Sequence, residues 1–225
     1  REDFAGAGAL SQAWAMSDPD RQAMAVDHHG PTVRWGDRRR AHEDVHRVVG
    51  DVLETSGPKA DLVAALNFSA FVFHGRQNMV RYLRACRRRL RPRGVVVMDL
   101  FGGPGARRVQ TQTRRIPADR LPGLPAFTYR WVQHAFDEAT ARIDCRVYFD
   151  LPGRPASERP AFRYDWRLWA PAELREAAAE AGFGDVALWT DLPATPGRPG
   201  DPRYRPRRRM GDREDFVAYL AARGA

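Results

Sequence analysis

Asp3 is followed by two glycines one residue apart, Gly6 and Gly8, and then by a helix-forming run over residues 10–16. Glycine carries no Cβ, so a backbone can turn tightly there and lie against a ligand. A helix that follows such a turn aims unpaired N–H groups at whatever fills it. Asp27 then closes the short apolar run Ala23-Met24-Ala25-Val26. Glycine turn, helix, strand and acid, in that order, are the layout of a nucleoside site in which a carboxylate accepts both ribose hydroxyls. A plain structural turn is the competing reading of the two glycines. The adjacent His28 and His29 have no matching cluster of ligands, so no metal is expected.

The elements that must position these residues can be read from the pattern of apolar positions. The spacing predicts helices over 10–17, 31–40, 76–90 and 171–181, and strands over 22–26, 46–49, 61–67, 94–100, 185–189 and 215–222. Strands and helices alternate up to residue 100, which argues for a parallel sheet with helices on both faces. A glycine turn of this kind needs a strand before it, so Arg1 is expected near the end of a central strand whose remainder, with a helical lid, lies upstream. Residues 102–125 are rich in Gly, Pro and Arg and read as a long loop. Residues 127–134, 143–151 and 162–169 carry aromatics at alternate positions and read as antiparallel strands. Residues 192–209 are again rich in Pro, Gly and Arg and read as a mobile loop.

At 225 residues and 43% hydrophobic composition the chain can build one full core. Cys86 and Cys145 have no metal-ligand spacing and suggest buried thiols in a reducing compartment, hence a cytoplasmic location. No apolar run approaches the roughly 18 residues that a membrane span needs. The net charge of +9 invites a nucleic-acid partner. Lys59 is the sole lysine, however, and the arginines are dispersed, which fits solvated helix faces better.

Five signposts stand in order: Asp3-Phe4-Ala5-Gly6-Ala7-Gly8, Asp27, Gly50-Asp51, Asn67-Phe68-Ser69, and Leu90-Arg91-Pro92-Arg93-Gly94 leading into Val-Val-Val-Met-Asp. As an ordered set over essentially the whole chain, this resembles the class I S-adenosylmethionine-dependent methyltransferases. The aromatic segments are similar to those of a bacterial small-molecule branch. The resemblance implies a Rossmann-like, seven-stranded, mostly parallel sheet over residues 1–100 and 171–225, with one antiparallel strand. Residues 101–170 would form an antiparallel, aromatic-rich insertion on the substrate side. One departure is that Leu10 stands where the common motif has a third glycine.

Carried onto matching positions, the resemblance implies S-adenosyl-L-methionine as cofactor. Gly6 and Gly8 would approach its methionine and ribose portion, with Phe4 between them and Asp3. Asp3 would face its amino group, and Arg1 would pair with its carboxylate. Asp27, with His28 beside it, would take the ribose hydroxyls. Asp51 would take the adenine amino group, with Val52 alongside. Asn67 and Phe68 would line the carboxyl end of the fourth strand. Ordinary strand-end acids and a turn-forming Asn remain the alternatives. A sulfonium methyl needs alignment rather than acid–base help, but a hydroxyl acceptor would use a base, for which His74 is favoured over His134. Phe71, Phe101, Tyr129, Trp131, Tyr164 and Arg167 would contact a flat or apolar small-molecule acceptor, or else form core. Competing activities are an RNA or DNA methyltransferase and a nicotinamide-dependent oxidoreductase. Asn67-Phe68-Ser69-Ala70 lacks the Pro-Pro-aromatic motif of base methylation, and Ser11 stands where a dinucleotide motif has Gly or Ala. A homodimer is left open.

Overall fold

The computed structural model describes residues 1–120, 123–191, 204–208 and 214–224. Its body is one mixed sheet built from β1 (Glu2–Asp3), β2 (Ala23–Asp27), β3 (Val45–Val49), β4 (Ala60–Ala65), β5 (Leu90–Gly102), β10 (Asp185–Asp191), β11 (Tyr204–Arg207) and β12 (Phe216–Arg223). A second, antiparallel sheet holds β6 (Gln110–Ile116), β7 (Phe127–Asp137), β8 (Arg142–Asp150) and β9 (Phe162–Arg167). The helices are α1 (Ala9–Met16), α2 (Gly30–Arg39), α3 (Arg76–Arg89) and α4 (Pro171–Glu180). The main sheet runs β11-β10-β12-β5-β4-β1-β2-β3. β1 to β5 are mutually parallel, while β12, β10 and β11 continue the sheet by antiparallel pairing.

Alternation along β1 shows how the layers form, since successive side chains in a strand point to opposite faces. Glu2 faces α1, where Ser11 meets it, and Asp3 faces α3, where Tyr82 meets it. The α3 face carries the main core: Val26, Val63, Ala65, Val96, Met98 and Leu100 from the strands meet Met79, Leu83 and Cys86 of α3 and Leu174 and Ala178 of α4. α4 starts where expected because Pro171 suits a first turn and Glu173 caps the Ala170 N–H. Gly182, at φ 93, ends that helix in the left-handed conformation that glycine tolerates.

Three expectations are corrected. The main sheet has eight strands rather than seven, because Tyr204–Arg207 adds an antiparallel edge strand inside the expected loop. The loop expected over 102–125 contains β6, whose Gln and Thr residues conceal a strand that pairs with β7 along its full length. β5 begins at Leu90, directly after α3, although Pro92 and Gly94 had suggested a break up to residue 94. The remainder of the segment expected to be mobile, residues 192–203 and residue 209, lies outside the described residues. No helix among the described residues is long and apolar enough to cross a membrane.

Candidate cofactor site at the carboxyl edge of the sheet

β1 and β4 are neighbours, yet β1 leads through α1 to β2 on one side and β4 leads through α3 to β5 on the other. The connections diverge between these strands, and a crevice opens at their carboxyl ends, where open α/β sheets bind ligands. The groups expected from the sequence at the tips of β1, β2, β3 and β4 therefore line one edge.

The β1 corner turns through three left-handed residues, Phe4, Gly6 and Gly8, at φ 58, 56 and 70. Gly8 is needed for space as well as conformation, since a Cβ there would stand 3.0 Å from Arg47 Nε and 3.3 Å from Ala25 Cβ. A Cβ on Gly6 would meet only Thr32, at 3.8 Å, so that glycine leaves its outer side open. Asp27 braces this corner. Its carboxylate accepts the Gly6 N–H at 2.8 Å and the His29 N–H at 2.8 Å. Each oxygen keeps further lone-pair capacity for a hydroxyl. Asp51 accepts the Leu53 N–H at 2.7 Å through one oxygen, is exposed, and sits beside buried Val52. His28 is an exposed side chain whose Nδ1 is 3.8 Å from Asp27. The β4 corner, Asn67 and Phe68, is also left-handed, at φ 62 and 56.

Arg1 and Asp3 are engaged with each other and with neighbouring elements. Asp3 is 1% exposed. Its oxygens take Arg1 Nε at 2.7 Å and the Tyr82 hydroxyl at 3.1 Å. The Arg1 guanidinium also donates to the Thr55 carbonyl at 3.0 Å. The alternation of β1 turns Asp3 inward onto α3, and burial there pushes the Cys86 thiol up to about 12.

The insertion sits over the site through an aromatic face. Phe68 lies edge-on to Phe101 at 4.8 Å, both meet Trp166, and Trp166 stacks on Tyr164 at 4.3 Å, with Trp131 alongside. Phe71 is 1% exposed and belongs to the core under this cluster, so it offers no surface to an acceptor. Phe101, Trp131 and Tyr164 are half-buried and keep part of their surface open; Tyr129 is also half-buried, beside Phe149 at the far end. Gln133 anchors β7 by donating to the Ala106 and Arg108 carbonyls, each at 2.6 Å.

His74 and Arg167 are committed to the joint between core and insertion. His74 Nε2 is bonded to the Asp165 carbonyl at 2.8 Å. Arg167 donates to the His74 carbonyl at 2.9 Å and to Glu173 at 2.7 Å, and its guanidinium lies over Trp169. His74 Nε2 and the terminal nitrogens of Arg167 are thus spent on holding the insertion to the body.

Four supporting residues were assigned no role from the sequence. Glu2 holds the start of α1 through the Ser11 N–H and hydroxyl. Gly36 lets α2 approach the glycine corner, since a Cβ there would be 2.4 Å from the Ala7 carbonyl oxygen. Arg47, with 2% of its side chain exposed, reaches from β3 to the Ala7 carbonyl at 3.1 Å and the Arg40 carbonyl at 2.6 Å. Asp99 of β5 takes the N–H groups of the β4 corner.

No protein-family model matches the chain, and no curated protein sequence is similar to it. Solved structures are. The methyltransferase CcbJ from Streptomyces caelestis superimposes with a TM-score of 0.69 at 19% identity, covering 100% of this chain and 87% of its own. The sugar N-methyltransferase KedS8 from Streptoalloteichus sp ATCC 53650 gives 0.65 at 20% identity, covering 100% and 79%. CalS10, an amino pentose methyltransferase from Micromonospora echinaspora solved with S-adenosylmethionine bound, gives 0.62 at 15% identity, covering 97% and 81%. Reached from the sheet order, the divergent crevice and these superpositions together, the chain has the fold of the S-adenosylmethionine-dependent methyltransferases.

Proposed function

We propose that the chain binds S-adenosylmethionine at the β1–β4 crevice and transfers its methyl group to a small-molecule acceptor beneath the insertion. The observation that carries this is the row of four strand-tip groups on one edge: the glycine corner, Asp27, Asp51 and the Asn67–Phe68 corner. They fit the cofactor in sequence. Asp51 suits the adenine amino group, Asp27 retains capacity for the ribose hydroxyls, and the glycine corner admits a close approach of backbone. With the nucleoside over β2 and β3, the aminoacyl end points toward β1 and β4.

When bound, the cofactor supplies an electrophilic sulfonium methyl. The chain's contribution is alignment and exclusion of water. Asp27 fixes the ribose end, the β4 corner fixes the other, and the half-buried faces of Phe68, Phe101, Trp131 and Tyr164 hold the acceptor and shield the transfer. The acceptor is an amine. Asp99 is buried with both oxygens on backbone N–H groups, Asp27 is taken up by the ribose, and His74 Nε2 is bonded to the Asp165 carbonyl. A hydroxyl acceptor would need one of them as base, whereas a neutral amine brings its own lone pair. Aromatic faces also suit an ammonium product. KedS8 and CalS10 act on a sugar nitrogen and an amino pentose respectively, which agrees in class.

Calorimetric titration with S-adenosylhomocysteine, and separately with NAD, tests the reading. Micromolar binding of the former and none of the latter is expected. The reverse result would replace it with the oxidoreductase reading. A nucleic-acid acceptor is disfavoured because much of the arginine charge is matched locally, as where Asp144 takes both Arg146 and Arg163 and Glu180 takes Arg76. Tight binding of single-stranded RNA at 0.15 M salt would revive it.

A further inference from the structure

Asp99 is 8% exposed and carries no part of the chemistry above. Its two oxygens accept consecutive backbone N–H groups, from Asn67 at 2.8 Å and Phe68 at 2.7 Å. Both donors belong to non-glycine residues with positive φ. Such residues are strained and persist only where surroundings impose them. The imposed shape has consequences in two directions. It starts the 3₁₀ turn Ser69–Val72 and places the Phe68 ring on Phe101 and Trp166. Through Trp166 of β9 that ring also seats the insertion. One carboxylate thus shapes the β4 wall of the crevice and the seat of the insertion.

We infer that Asp99 is a positioning residue for the cofactor site: it clamps the Asn67–Phe68 corner in the left-handed shape that closes the crevice on the β4 side. The ligand's identity rests on the function proposed above; the clamp itself does not.

Protonation offers a readout that simple core packing would not. A carboxyl has one acceptor oxygen facing an N–H replaced by a hydroxyl, so the clamp is halved. Burial raises the Asp99 carboxyl to about 6, opposed by the hydrogen bonds from Phe68 and Asn67, and no charged side chain contributes. Across the ladder stands Tyr219 of β12, which burial and Tyr204 of β11 push up to about 12, so it stays neutral below pH 8. On the same sheet face, Glu2 of β1 is also raised by burial and is the group to control for.

The experiment is calorimetric titration of the full chain with S-adenosylhomocysteine from pH 5 to pH 8, for the wild type, Asp99→Asn and Glu2→Gln. Amide hydrogen exchange at Asn67 and Phe68 is followed in parallel. Wild-type affinity should fall about tenfold toward pH 5 while circular dichroism stays unchanged, a loss equivalent to one hydrogen bond. Asp99→Asn should bind about tenfold more weakly at neutral pH with a flat profile, and Glu2→Gln should keep the acid fall. Asn67→Gly added to Asp99→Asn should restore part of the affinity, because glycine adopts the corner without strain. A folded Asp99→Asn protein with wild-type affinity, pH profile and amide protection overturns the inference, as does an acid fall that disappears only in Glu2→Gln. If Asp99→Asn does not fold, a flat wild-type profile with fast exchange at both amides overturns it. Protected amides without S-adenosylhomocysteine binding would keep the clamp and reject the ligand.

Discussion

The place of Asp27 after an apolar strand marks it as the proposed ribose acceptor, and its bonds to the Gly6 and His29 N–H groups make it the brace of the glycine corner as well. Asp27→Ala should therefore weaken S-adenosylhomocysteine binding by about 1–3 kcal/mol through lost charge-assisted hydrogen bonds. It should also speed amide exchange at Gly6. An unchanged dissociation constant would remove Asp27 from the site. The roles of Glu2, Arg47 and Asp99 were unreadable at this scale, for a physical reason. Each acts on a segment remote in sequence, such as Arg47 on Ala7 and Asp99 on Asn67, and a lone charged residue in a strand carries no local mark of its partner. The inward bonding of Arg1 and Asp3 was unreadable for a related reason. The motif fixes where they stand along β1, whereas the side chain's direction follows from the alternation and from Tyr82 waiting on α3.

At the scale of elements, periodicity made α3, α4, β2, β4 and the aromatic strands readable, because each has an apolar face of the right period. β6 escaped because a strand at the edge of the insertion is exposed and polar, so its stability comes from pairing with β7 rather than from burial. The contact of α2 with the glycine corner was equally hidden, since Gly36 inside a helix looks like a defect that costs roughly 1 kcal/mol against Ala. Its use is proximity. With a Cβ 2.4 Å from the Ala7 carbonyl oxygen, Gly36→Ala must push α2 away or shift the corner. Despite the better helix propensity of Ala, a loss of about 1–3 kcal/mol in urea unfolding is expected, the usual penalty for overpacking, together with weaker S-adenosylhomocysteine binding. Gly184→Ala is the control, because a Cβ there meets nothing within 4 Å. If both variants unfold at the same urea concentration as the wild type, the close approach of α2 does not matter.

For the molecule as a whole, the carboxylates fall into two sets with opposite pH signatures. Asp99 and Glu2, buried in the body, are raised by desolvation, Asp99 to about 6. Asp144 and Asp150, on the insertion, are lowered, chiefly by hydrogen bonds from Arg146 and Arg130. A raised carboxyl binds its proton more tightly in the folded state, so its contribution grows as pH falls through the folded value toward the unfolded one. A lowered carboxyl stabilises above its unfolded value and loses that contribution only below it. Between pH 6 and the ordinary aspartate value of 3.8, therefore, the first set changes and the second does not yet. The melting temperature should hold or rise from pH 7 to pH 5, then drop below pH 4 as the Arg–Asp pairs of the insertion are protonated. Cofactor affinity, by contrast, should weaken over the first interval as the Asp99 clamp loosens, so that binding and stability move in opposite directions. Scanning calorimetry at pH 7, 5 and 3.5 decides this. A steady fall from pH 7 to pH 5, or a rise that survives in the Asp99→Asn, Glu2→Gln double variant, would show that these two buried acids do not govern the balance.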